Sequence, residues 1–331
     1  MNEHAYAVIG SNCFTGSYLV DHLREDPRNE IIGISRSAEY KPVFLPYKRH
    51  GEGRFRFFQI DLFKEPGRLI SVLDEFEPAY VINVAALSEV GLSNFQPLEY
   101  FQTNCLGTVQ LCDQLRTRKY LKRYIHISSA EVYGSCGTAL EETAPLDPST
   151  PYAVSKAAAD MYLVTLFRNF GFPVNLIRST NVYGARQQLY KIIPRSILYV
   201  RTGRKIELHG GGRAVKTWVH IRDVVRGIRL VIEKGKPGET YHFSDKNSCS
   251  IAELVKRIFE ILGLSFEEWT VSTQERLGQD ARYLLNYSKA QEELGWTPQV
   301  PFEWGLTEVI SWMDEGWQDI VNEPKIYVHK V

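Results

Sequence analysis

Ala5-Tyr-Ala-Val-Ile-Gly10-Ser-Asn-Cys-Phe-Thr-Gly16 runs from an apolar, strand-like segment through a glycine-bounded turn into a helical pattern. Glycine lets backbone come close to a pyrophosphate at the N-terminus of a helix. Cys13 stands where such turns usually carry a middle glycine. The turn still predicts a dinucleotide-binding site, and an ordinary strand-to-helix connection is the alternative. The residues expected to contact the cofactor here are Gly10, Asn12, Cys13, Phe14, Thr15 and Gly16.

Strands and helices alternate along the first 180 residues. Apolar runs predict strands at residues 5–10, 30–35, 54–60, 79–85, 123–128 and 173–178. Helical periodicity predicts helices at residues 16–23, 67–76, 97–118 and 151–169. Regular alternation of this kind indicates an α/β fold, a Rossmann-like doubly wound parallel sheet.

The alternation loosens after residue 181. Short strands are expected at residues 206–208 and 217–220, and helices at residues 224–234, 251–262 and 302–317. These elements indicate a smaller C-terminal α/β substrate domain over the open crevice of the sheet, where ligands bind in such folds. The predicted division is 1–180 for the dinucleotide-binding domain, with 217–245 returning to it, and 181–216 with 246–331 for the substrate domain.

Bulk composition excludes several classes of partner. The 39 Lys and Arg balance the 39 Asp and Glu, so a nucleic-acid or acidic-membrane partner held by bulk charge is not expected. No apolar run approaches membrane-span length, and no signal peptide is recognisable. The five Cys and eight His are scattered without a metal-ligand spacing. We therefore expect a cytoplasmic protein with reduced thiols and no metal site.

Ser35 and Arg36 end the second predicted strand. An acidic residue there would bind the ribose 2′-hydroxyl of NAD, whereas an arginine and a hydroxyl suit the 2′-phosphate of NADP. NADP is therefore favoured, with NAD as the alternative. Further cofactor contacts are expected at the ends of the next strands and in the long helix, at Asp61, Leu62, Ala85, Ala86 and Asn104.

Tyr152 and Lys156 lie four residues apart, so on a helix they share one face. An ammonium beside a phenol favours the phenolate, which would let Tyr152 act as a base. The two residues alone also fit an amphipathic helix surface. Upstream, Ser128-Ser-Ala-Glu131 follows a predicted strand and places a hydroxyl and a carboxyl at the same edge of the sheet.

In chain order, the glycine-bounded turn, Asn83-Val-Ala-Ala86, Thr103-Asn104, Ser128-Ser-Ala-Glu-Val-Tyr-Gly134 and Tyr152-Ala-Val-Ser-Lys156 give the chain its resemblance to a known family. It resembles the extended short-chain dehydrogenases/reductases that act on nucleotide sugars, over nearly its whole length. The C-terminal half is similar to nucleoside-diphosphate-hexose 4,6-dehydratases of the dTDP-glucose type. The motifs that carry this similarity are Arg178-Ser-Thr-Asn-Val-Tyr-Gly184, Lys191-Ile-Ile-Pro194, Thr217-Trp-Val-His-Ile-Arg-Asp223, Arg276-Leu-Gly-Gln-Asp-Ala-Arg-Tyr283 and Leu294-Gly-Trp-Thr-Pro298. Gly16-Ser-Tyr-Leu19 and Ser35-Arg36 look more like the GDP-mannose type, so the base stays open.

The resemblance implies roles for the candidate residues. Tyr152 would be the base for the sugar 4-hydroxyl, Lys156 would lower its pKa and hold the nicotinamide ribose, and Ser129 would hydrogen-bond the same hydroxyl. A tightly bound, recycled cofactor and a nucleoside-diphosphate hexose substrate are implied, as is a homodimer or tetramer built on the helices at 97–118 and 151–169. Lys216 stands where the dTDP-glucose type has a phosphate-binding arginine. The substrate contacts implied are Ser88, Asn181, Lys191, Ile192, Ile193, Lys216 and Arg276.

The chain departs from that pattern at one position. The dTDP-glucose type carries Thr-Asp-Glu where this chain has Ser129-Ala130-Glu131, so the acid that protonates the leaving hydroxyl is missing. Glu131 is retained, and 4-epimerases generally lack it. A 4,6-dehydratase is therefore expected. A 4-epimerase, a decarboxylase or a 5,6-ene-forming enzyme with the same 4-keto intermediate is the first alternative, and a non-catalytic dinucleotide-binding protein is the second.

Overall fold

A computed structural model of the protein describes residues 3–51, 53–275, 277–278, 280–325 and 327. The strands are β1 (Ala5–Ile9), β2 (Glu30–Ser35), β3 (Phe55–Gln59), β4 (Tyr80–Asn83), β5 (Arg123–Ile127), β6 (Val174–Ser179), β7 (Asn181–Tyr183), β8 (Ile206–His209), β9 (Val215–His220), β10 (Thr240–Phe243), β11 (Ser248–Ser250) and β12 (Thr270–Thr273). The α-helices are α1 (Phe14–Leu23), α2 (Pro66–Phe76), α3 (Val90–Ser93), α4 (Pro97–Tyr100), α5 (Gly107–Leu115), α6 (Pro151–Phe170), α7 (Ile192–Arg201), α8 (Ile221–Lys234), α9 (Ile251–Leu262), α10 (Phe266–Trp269), α11 (Ser288–Leu294), α12 (Phe302–Glu315) and α13 (Trp317–Ile320). Short 3₁₀ helices are at Pro42–Phe44, Pro46–His50, Ala130–Tyr133 and Gly210–Gly212.

Seven strands form one sheet in the order β10-β6-β5-β4-β1-β2-β3, and every neighbouring pair is parallel. The chain order reverses between β1 and β4, which opens a crevice at the carboxyl ends of these two strands. The predicted Rossmann-like doubly wound sheet is confirmed. The seventh strand, β10, was not predicted as a strand because its run is only four residues long and contains His242.

Helices cover both faces of this sheet. On one face α1 and α8 bury apolar side chains such as Leu19 and Ile228 against the strands. On the other face α2, α5 and α6 do the same, with Leu73, Leu111 and Leu163 fully buried. Burial of both faces explains why the strands are nearly continuous apolar runs rather than alternating ones.

The remaining elements form a smaller layer at the carboxyl edge of the sheet. The strands β7, β9 and β11 pair in a three-stranded sheet, and β8 pairs with β12. Helices α7, α9 and α12 pack together in a separate apolar cluster. Between these segments the chain returns to the large sheet with α8 and β10. The domain division stays a prediction.

The long helix expected at 97–118 is not continuous. After α4 the backbone makes a π-helical turn over Phe101–Leu106, and α5 then ends at Leu115. A π turn inserts one extra residue and rotates the following side chains around the helix axis. It lies beside α6, and its buried Asn104 faces that helix.

Candidate functional site

The turn between β1 and α1 requires both of its glycines. Gly10 has a φ of +93°, and a Cβ there would lie 2.7 Å from the backbone nitrogen of Ala85. A Cβ on Gly16 would collide with the carbonyl oxygen of Gly10. Cys13 caps α1, and its sulfur accepts a hydrogen bond from the Gly16 N–H at 3.3 Å. The turn therefore leaves a bare backbone surface at a helix N-terminus, as a pyrophosphate requires.

A cavity of 490 Å³, here called the nucleotide cavity, extends from this turn over the ends of β2 and β3. The side-chain oxygen Oδ1 of Asn12 is buried there without a hydrogen-bond partner among the described residues. The glycine-shaped surface and this orphaned acceptor fit a dinucleotide. The predicted cofactor residues that line the cavity are Gly10, Asn12, Cys13, Phe14, Ser35, Arg36, Asp61, Leu62, Ala85 and Ala86.

Two of the predicted cofactor contacts also have structural tasks. The hydroxyl of Ser35 accepts a hydrogen bond from the Asn12 N–H at 3.0 Å and so fixes the turn against β2. The Asp61 carboxylate accepts the N–H groups of Phe63 and Lys64, both at 2.9 Å, as a loop aspartate that caps a turn does. Each side chain lines the cavity while doing so.

The far wall of the nucleotide cavity comes from the C-terminal segment. Tyr327 stacks edge-to-face on Tyr190, with ring centroids 5.3 Å apart, and its hydroxyl bonds Arg36. Glu323 pairs with Lys41 at 2.6 Å. The sequence pattern gave no signal for this wall, because it depends on residues nearly 300 positions apart in the chain.

A second cavity of 400 Å³, here called the catalytic cavity, lies beside the first. Cys13, Ala86, Ser88 and Tyr190 line both cavities, so the two meet. A cofactor in the nucleotide cavity would thus present its nicotinamide end to a substrate in the catalytic cavity. The predicted residues that line this second cavity are Thr15, Ser88, Ser129, Glu131, Tyr152, Lys156, Asn181, Lys191, Ile192 and Lys216.

Tyr152 lies in the first turn of α6, which Thr150 caps by accepting the Ala153 N–H. Burial raises the pKa of the Tyr152 phenol, the nearby Glu131 charge raises it further, and a hydrogen bond from Ser129 lowers it. The expectation that Lys156 depresses the pKa of Tyr152 does not hold for these residues by themselves, because the cost of burying a phenolate outweighs the favourable contacts.

Two residues of β5 hold the ammonium of Lys156. Its ammonium donates to the carbonyl of Ile127 at 2.7 Å and to His126 Nε2 at 3.1 Å. Burial lowers the pKa of Lys156 to about 8, partly offset by Asp160. Burial and the charges of Lys156 and Arg178 lower the pKa of His126 far below its usual range, so His126 is neutral and accepts from the ammonium.

Glu131 enters the catalytic cavity from the 3₁₀ helix that follows β5. Ser129 caps this helix by accepting the Glu131 N–H at 3.2 Å. Burial raises the pKa of the Glu131 carboxyl to about 7; Lys216 opposes the rise and Asp280 adds to it. A carboxyl with a pKa near neutrality can both accept and return a proton at physiological pH.

Ala130 turns away from the cavity. It is 1% exposed and packs against Tyr133, Ala157 and Leu285 in a small apolar cluster. No described side chain of the 3₁₀ helix other than Glu131 lines the cavity. The position therefore offers no acid for a leaving hydroxyl.

Lys216, on β9, also lines the catalytic cavity. Its ammonium donates to the backbone carbonyl of Asp280 at 2.8 Å and lies 4.2 Å from the centre of the Tyr283 ring. The Tyr283 hydroxyl in turn donates to Asn181 Oδ1 at 3.0 Å. Burial lowers the pKa of Lys216, while the charges of Glu131 and Asp280 oppose that change.

Three predicted site residues are placed elsewhere. Gly16 shapes the turn without lining either cavity, and Asn104 lies behind the crevice, where it bonds Leu87. Ile193 is fully buried in the C-terminal apolar cluster. Arg276 lies outside the described residues. The assignment of site residues to roles stays a prediction.

Sequence reasoning did not single out several residues of the catalytic cavity. Asp280 and Tyr283 belong to a motif that was recognised, but only its first residue was given a role. Glu207 and His209 line the outer end of the cavity from β8. The polar His126 inside an apolar strand was the one available signal for the network beneath Lys156.

Comparison with known proteins gives a consistent result. The family model described as GDP-mannose 4,6 dehydratase matches residues 8–309. A dTDP-glucose 4,6-dehydratase from Haemophilus influenzae is 30% identical over 326 residues, which covers 92% of this chain and 96% of that protein. The dTDP-D-glucose 4,6-dehydratase from Homo sapiens is also 30% identical, covering 96% of this chain and 92% of that one.

Solved structures of two nucleotide-sugar enzymes also superimpose closely on the fold of this chain. The dTDP-glucose 4,6-dehydratase DesIV from Streptomyces venezuelae, with NAD bound, superimposes with a TM-score of 0.88 at 31% identity, over 95% of this chain and 98% of that chain. A UDP-glucose 4-epimerase from Thermotoga maritima gives a TM-score of 0.86 at 26% identity, over 95% and 99% of the two chains.

Proposed function

We propose that this chain, which belongs to the GDP-mannose 4,6 dehydratase family within the extended short-chain dehydrogenases/reductases, is a nucleotide-sugar 4,6-dehydratase. It converts a nucleoside-diphosphate hexose into the 4-keto-6-deoxy sugar nucleotide. The dinucleotide cofactor takes hydride from C4 and returns it to C6, so it leaves the cycle unchanged. A cofactor recycled in this way is held tightly.

The chain's own residues divide the proton transfers between two places. Tyr152 must be a phenolate to take the proton of the 4-hydroxyl, and the hydrogen bond from Ser129, which lowers the pKa of that phenol, favours this form. Ser129 also bonds the same oxygen of the substrate. Lys156 holds the nicotinamide ribose from its position between Ile127 and His126. Once C4 is a ketone, the C5 proton is acidic and Glu131 removes it. Water then leaves from C6.

The observation that carries this proposal is Glu131. An epimerase needs only the Tyr152 side of the site, whereas elimination needs a second base near C5. Glu131 lines the same cavity as Tyr152, and its charge acts on the pKa of the Tyr152 phenol. Its own pKa of about 7 suits a group that must take a carbon-bound proton and later give one back.

The cofactor is a nicotinamide dinucleotide. Several solved structures that resemble this chain carry NAD. We propose NADP as the preferred form, because Ser35 and Arg36 occupy the end of β2 and line the nucleotide cavity. Mass analysis of the dinucleotide that co-purifies with the protein distinguishes NADP from NAD.

Ala130 favours one second candidate, a nucleotide-sugar 4-epimerase. An epimerase loses no hydroxyl from C6 and needs no acid there, and epimerase structures superimpose nearly as well as dehydratases. In that reading Glu131 is idle during turnover. Product analysis at C4 and C6 separates the two functions.

The experiment is to incubate the purified protein with dTDP-, UDP-, GDP- and CDP-hexoses and identify the products by mass spectrometry and NMR. Loss of one water and a C4 ketone are expected for one or more of them. In the variant Glu131→Gln we expect dehydration to fall by about 10²- to 10⁴-fold while substrate still reduces bound cofactor. Inversion at C4 with the C6 oxygen retained would instead establish the epimerase, and a full rate for Glu131→Gln would remove its role.

A homodimer is also proposed. Several exposed apolar side chains lie on α4, on α6 and in the turns that flank α4, and exposed apolar groups of this kind can mark an interface. They are Phe95, Leu98, Leu106, Val154, Met161 and Phe170. None of the described helices combines the length and apolar character that crossing a bilayer requires. The cytoplasmic location and the absence of a nucleic-acid partner stay predictions.

A further inference from the structure

Loss of water from C6 requires a proton for the leaving oxygen, and none of the residue roles assigned above supplies it. The departing oxygen must be protonated as the C6–O bond breaks, because hydroxide is a poor leaving group. In the dTDP-glucose type an aspartate does this at the position that is Ala130 here. Ala130 is buried in an apolar cluster and cannot be replaced there by a side chain from the same short helix. Glu131 is occupied with the C5 proton at this stage, so a separate acid would have to lie on another element.

We propose that Lys216 is this acid, and that its ammonium protonates the 6-oxygen of the substrate as water leaves. The inference rests on the proposed 4,6-dehydratase function. Lys216 reaches the catalytic cavity from β9, an element separate from those that carry Tyr152 and Glu131. It thus brings a titratable group to the cavity from a third element.

The contacts of Lys216 leave it free to donate. An ammonium has three N–H groups. One is used by the Asp280 carbonyl at 2.8 Å, and the aromatic face of Tyr283 holds the cation at 4.2 Å. Both partners fix the nitrogen at the cavity wall, and neither is a carboxylate that would take the proton. The described residues thus leave a third N–H for the substrate.

The electrostatics suit the same role. Burial lowers the pKa of Lys216 and so makes its ammonium a stronger acid, while the charges of Glu131 and Asp280 oppose that change. When Glu131 takes the C5 proton its negative charge disappears. The ammonium then loses a stabilising neighbour at the moment when the leaving oxygen needs the proton.

Three other polar groups of the cavity already have partners or protons of their own. The Asp280 carboxylate accepts hydrogen bonds from Ser135 at 3.1 Å and Ser149 at 2.8 Å. The Tyr283 hydroxyl donates to Asn181. Tyr152 holds the proton it has taken from the 4-hydroxyl.

The protons and electrons of the cycle balance. The C5–H bond breaks and its proton goes to Glu131, its electron pair forms the C5–C6 double bond, and the C6–O pair leaves with the oxygen. Lys216 converts that oxygen into water and becomes a neutral amine. Hydride then returns to C6 while Glu131 gives its proton to C5. The proton left on Tyr152 passes through solvent to Lys216, which restores the starting state.

Lys216→Arg is the decisive variant, because arginine keeps the positive charge but cannot release a proton. We expect nucleotide-sugar binding to persist and formation of the 4-keto-6-deoxy product to fall by about 10²- to 10⁴-fold. In deuterium oxide the recovered substrate should carry deuterium at C5, because Tyr152 and Glu131 still act. Lys205→Arg, an exposed lysine outside the cavity, is the matched control and should behave as the unaltered protein.

A second variant tests proton transfer itself. In Lys216→Ala, added primary amines should restore product formation, at rates that follow the acidity of the amine, whereas guanidine should not. Full dehydration by Lys216→Arg would overturn the proposal. So would a joint loss of binding and C5 exchange, which is the result expected of a residue that only holds phosphate, or an absence of amine rescue. If the unaltered protein forms no 4-keto-6-deoxy sugar, the proposed function itself fails.

Discussion

Glu131 shows how one residue can be useful to catalysis and costly to folding. In the unfolded chain its pKa is 4.5, and burial raises it to about 7. The folded protein therefore binds the proton more tightly than the unfolded chain. Its free energy of unfolding falls as pH rises from 4.5 to about 7, by about 3 kcal/mol in total, and does not recover above that.

The fall in unfolding free energy with rising pH gives a test that separates a catalytic loss from a folding defect. Glu131→Gln has no charge to bury, so we expect it to melt at a higher temperature than the unaltered protein above pH 7, with the difference vanishing below pH 4.5. The kcat/KM of the unaltered protein should fall as pH drops below about 7, because Glu131 must be ionised to act as a base. Thermal unfolding and rate profiles across this range measure both. A variant less stable than its parent at high pH would contradict the argument.

At this scale the sequence predicted which residues meet, but not their electrostatics. Spacing and resemblance were enough to bring Ser129, Glu131, Tyr152 and Lys156 to one cavity. The rise in the pKa of Tyr152 could not be predicted, because burial depends on the elements packed around a residue. The orientation of the Lys216 side chain could not be predicted either, because its ammonium bonds the backbone carbonyl of Asp280, 64 residues further along the chain.

At the scale of elements, the π turn between α4 and α5 is the feature that ties the crevice to the catalytic helix. It brings the Asn104 amide against Leu87, where Oδ1 accepts the N–H at 2.8 Å and Nδ2 donates to the carbonyl at 3.1 Å. Nδ2 also bonds the Ser155 hydroxyl at 3.0 Å, which itself donates to the Tyr152 carbonyl at 2.7 Å. The loop after β4 and the first turn of α6 are thereby held in one register.

Asn104→Ala should therefore affect both stability and rate. It leaves the buried backbone groups of Leu87 unpaired, which costs about 2–4 kcal/mol of unfolding free energy. It also frees Ser155, so we expect kcat to fall more than the apparent affinity for the sugar nucleotide changes. Denaturant unfolding and steady-state kinetics measure the two effects. Asp113→Ala, an exposed change on α5, is the control and should cost less than about 1 kcal/mol.

The elements themselves were largely predictable, because the strands of the large sheet are apolar on both faces and the helices carry clear periodicity. The π turn was not, since a single inserted residue leaves the apolar pattern of 97–118 almost unchanged. The strand β10 was missed for a related reason. Its His242 is fully buried and bonds Tyr133 at 2.7 Å, a partner that no local pattern reveals.

At the scale of the whole molecule, the exposed apolar residues on α4, on α6 and in the turns that flank α4 predict self-association. Leu98 is 65% exposed and Met161 57% exposed, so a charge at either site costs the isolated chain little. We expect the double variant Leu98→Glu and Met161→Glu to be monomeric while the unaltered protein is dimeric, as measured by light scattering. Ile261→Glu, an exposed apolar residue on α9, is the matched control. A monomeric unaltered protein, or a dimer in the double variant, would refute this interface.

The wall that the C-terminal segment gives the nucleotide cavity has a consequence for biosynthesis. Trp312 bonds the Val43 carbonyl at 3.0 Å, and Glu323 holds Lys41, so the loop after β2 gains these partners only when residues 312 and 323 have been made. The glycine turn, by contrast, has its contact with Ala85 once that residue has been made. A nascent chain on the ribosome would thus form the glycine turn well before the wall of the cofactor cleft, and we expect retention of the dinucleotide to begin only after residue 323 has emerged from the exit tunnel.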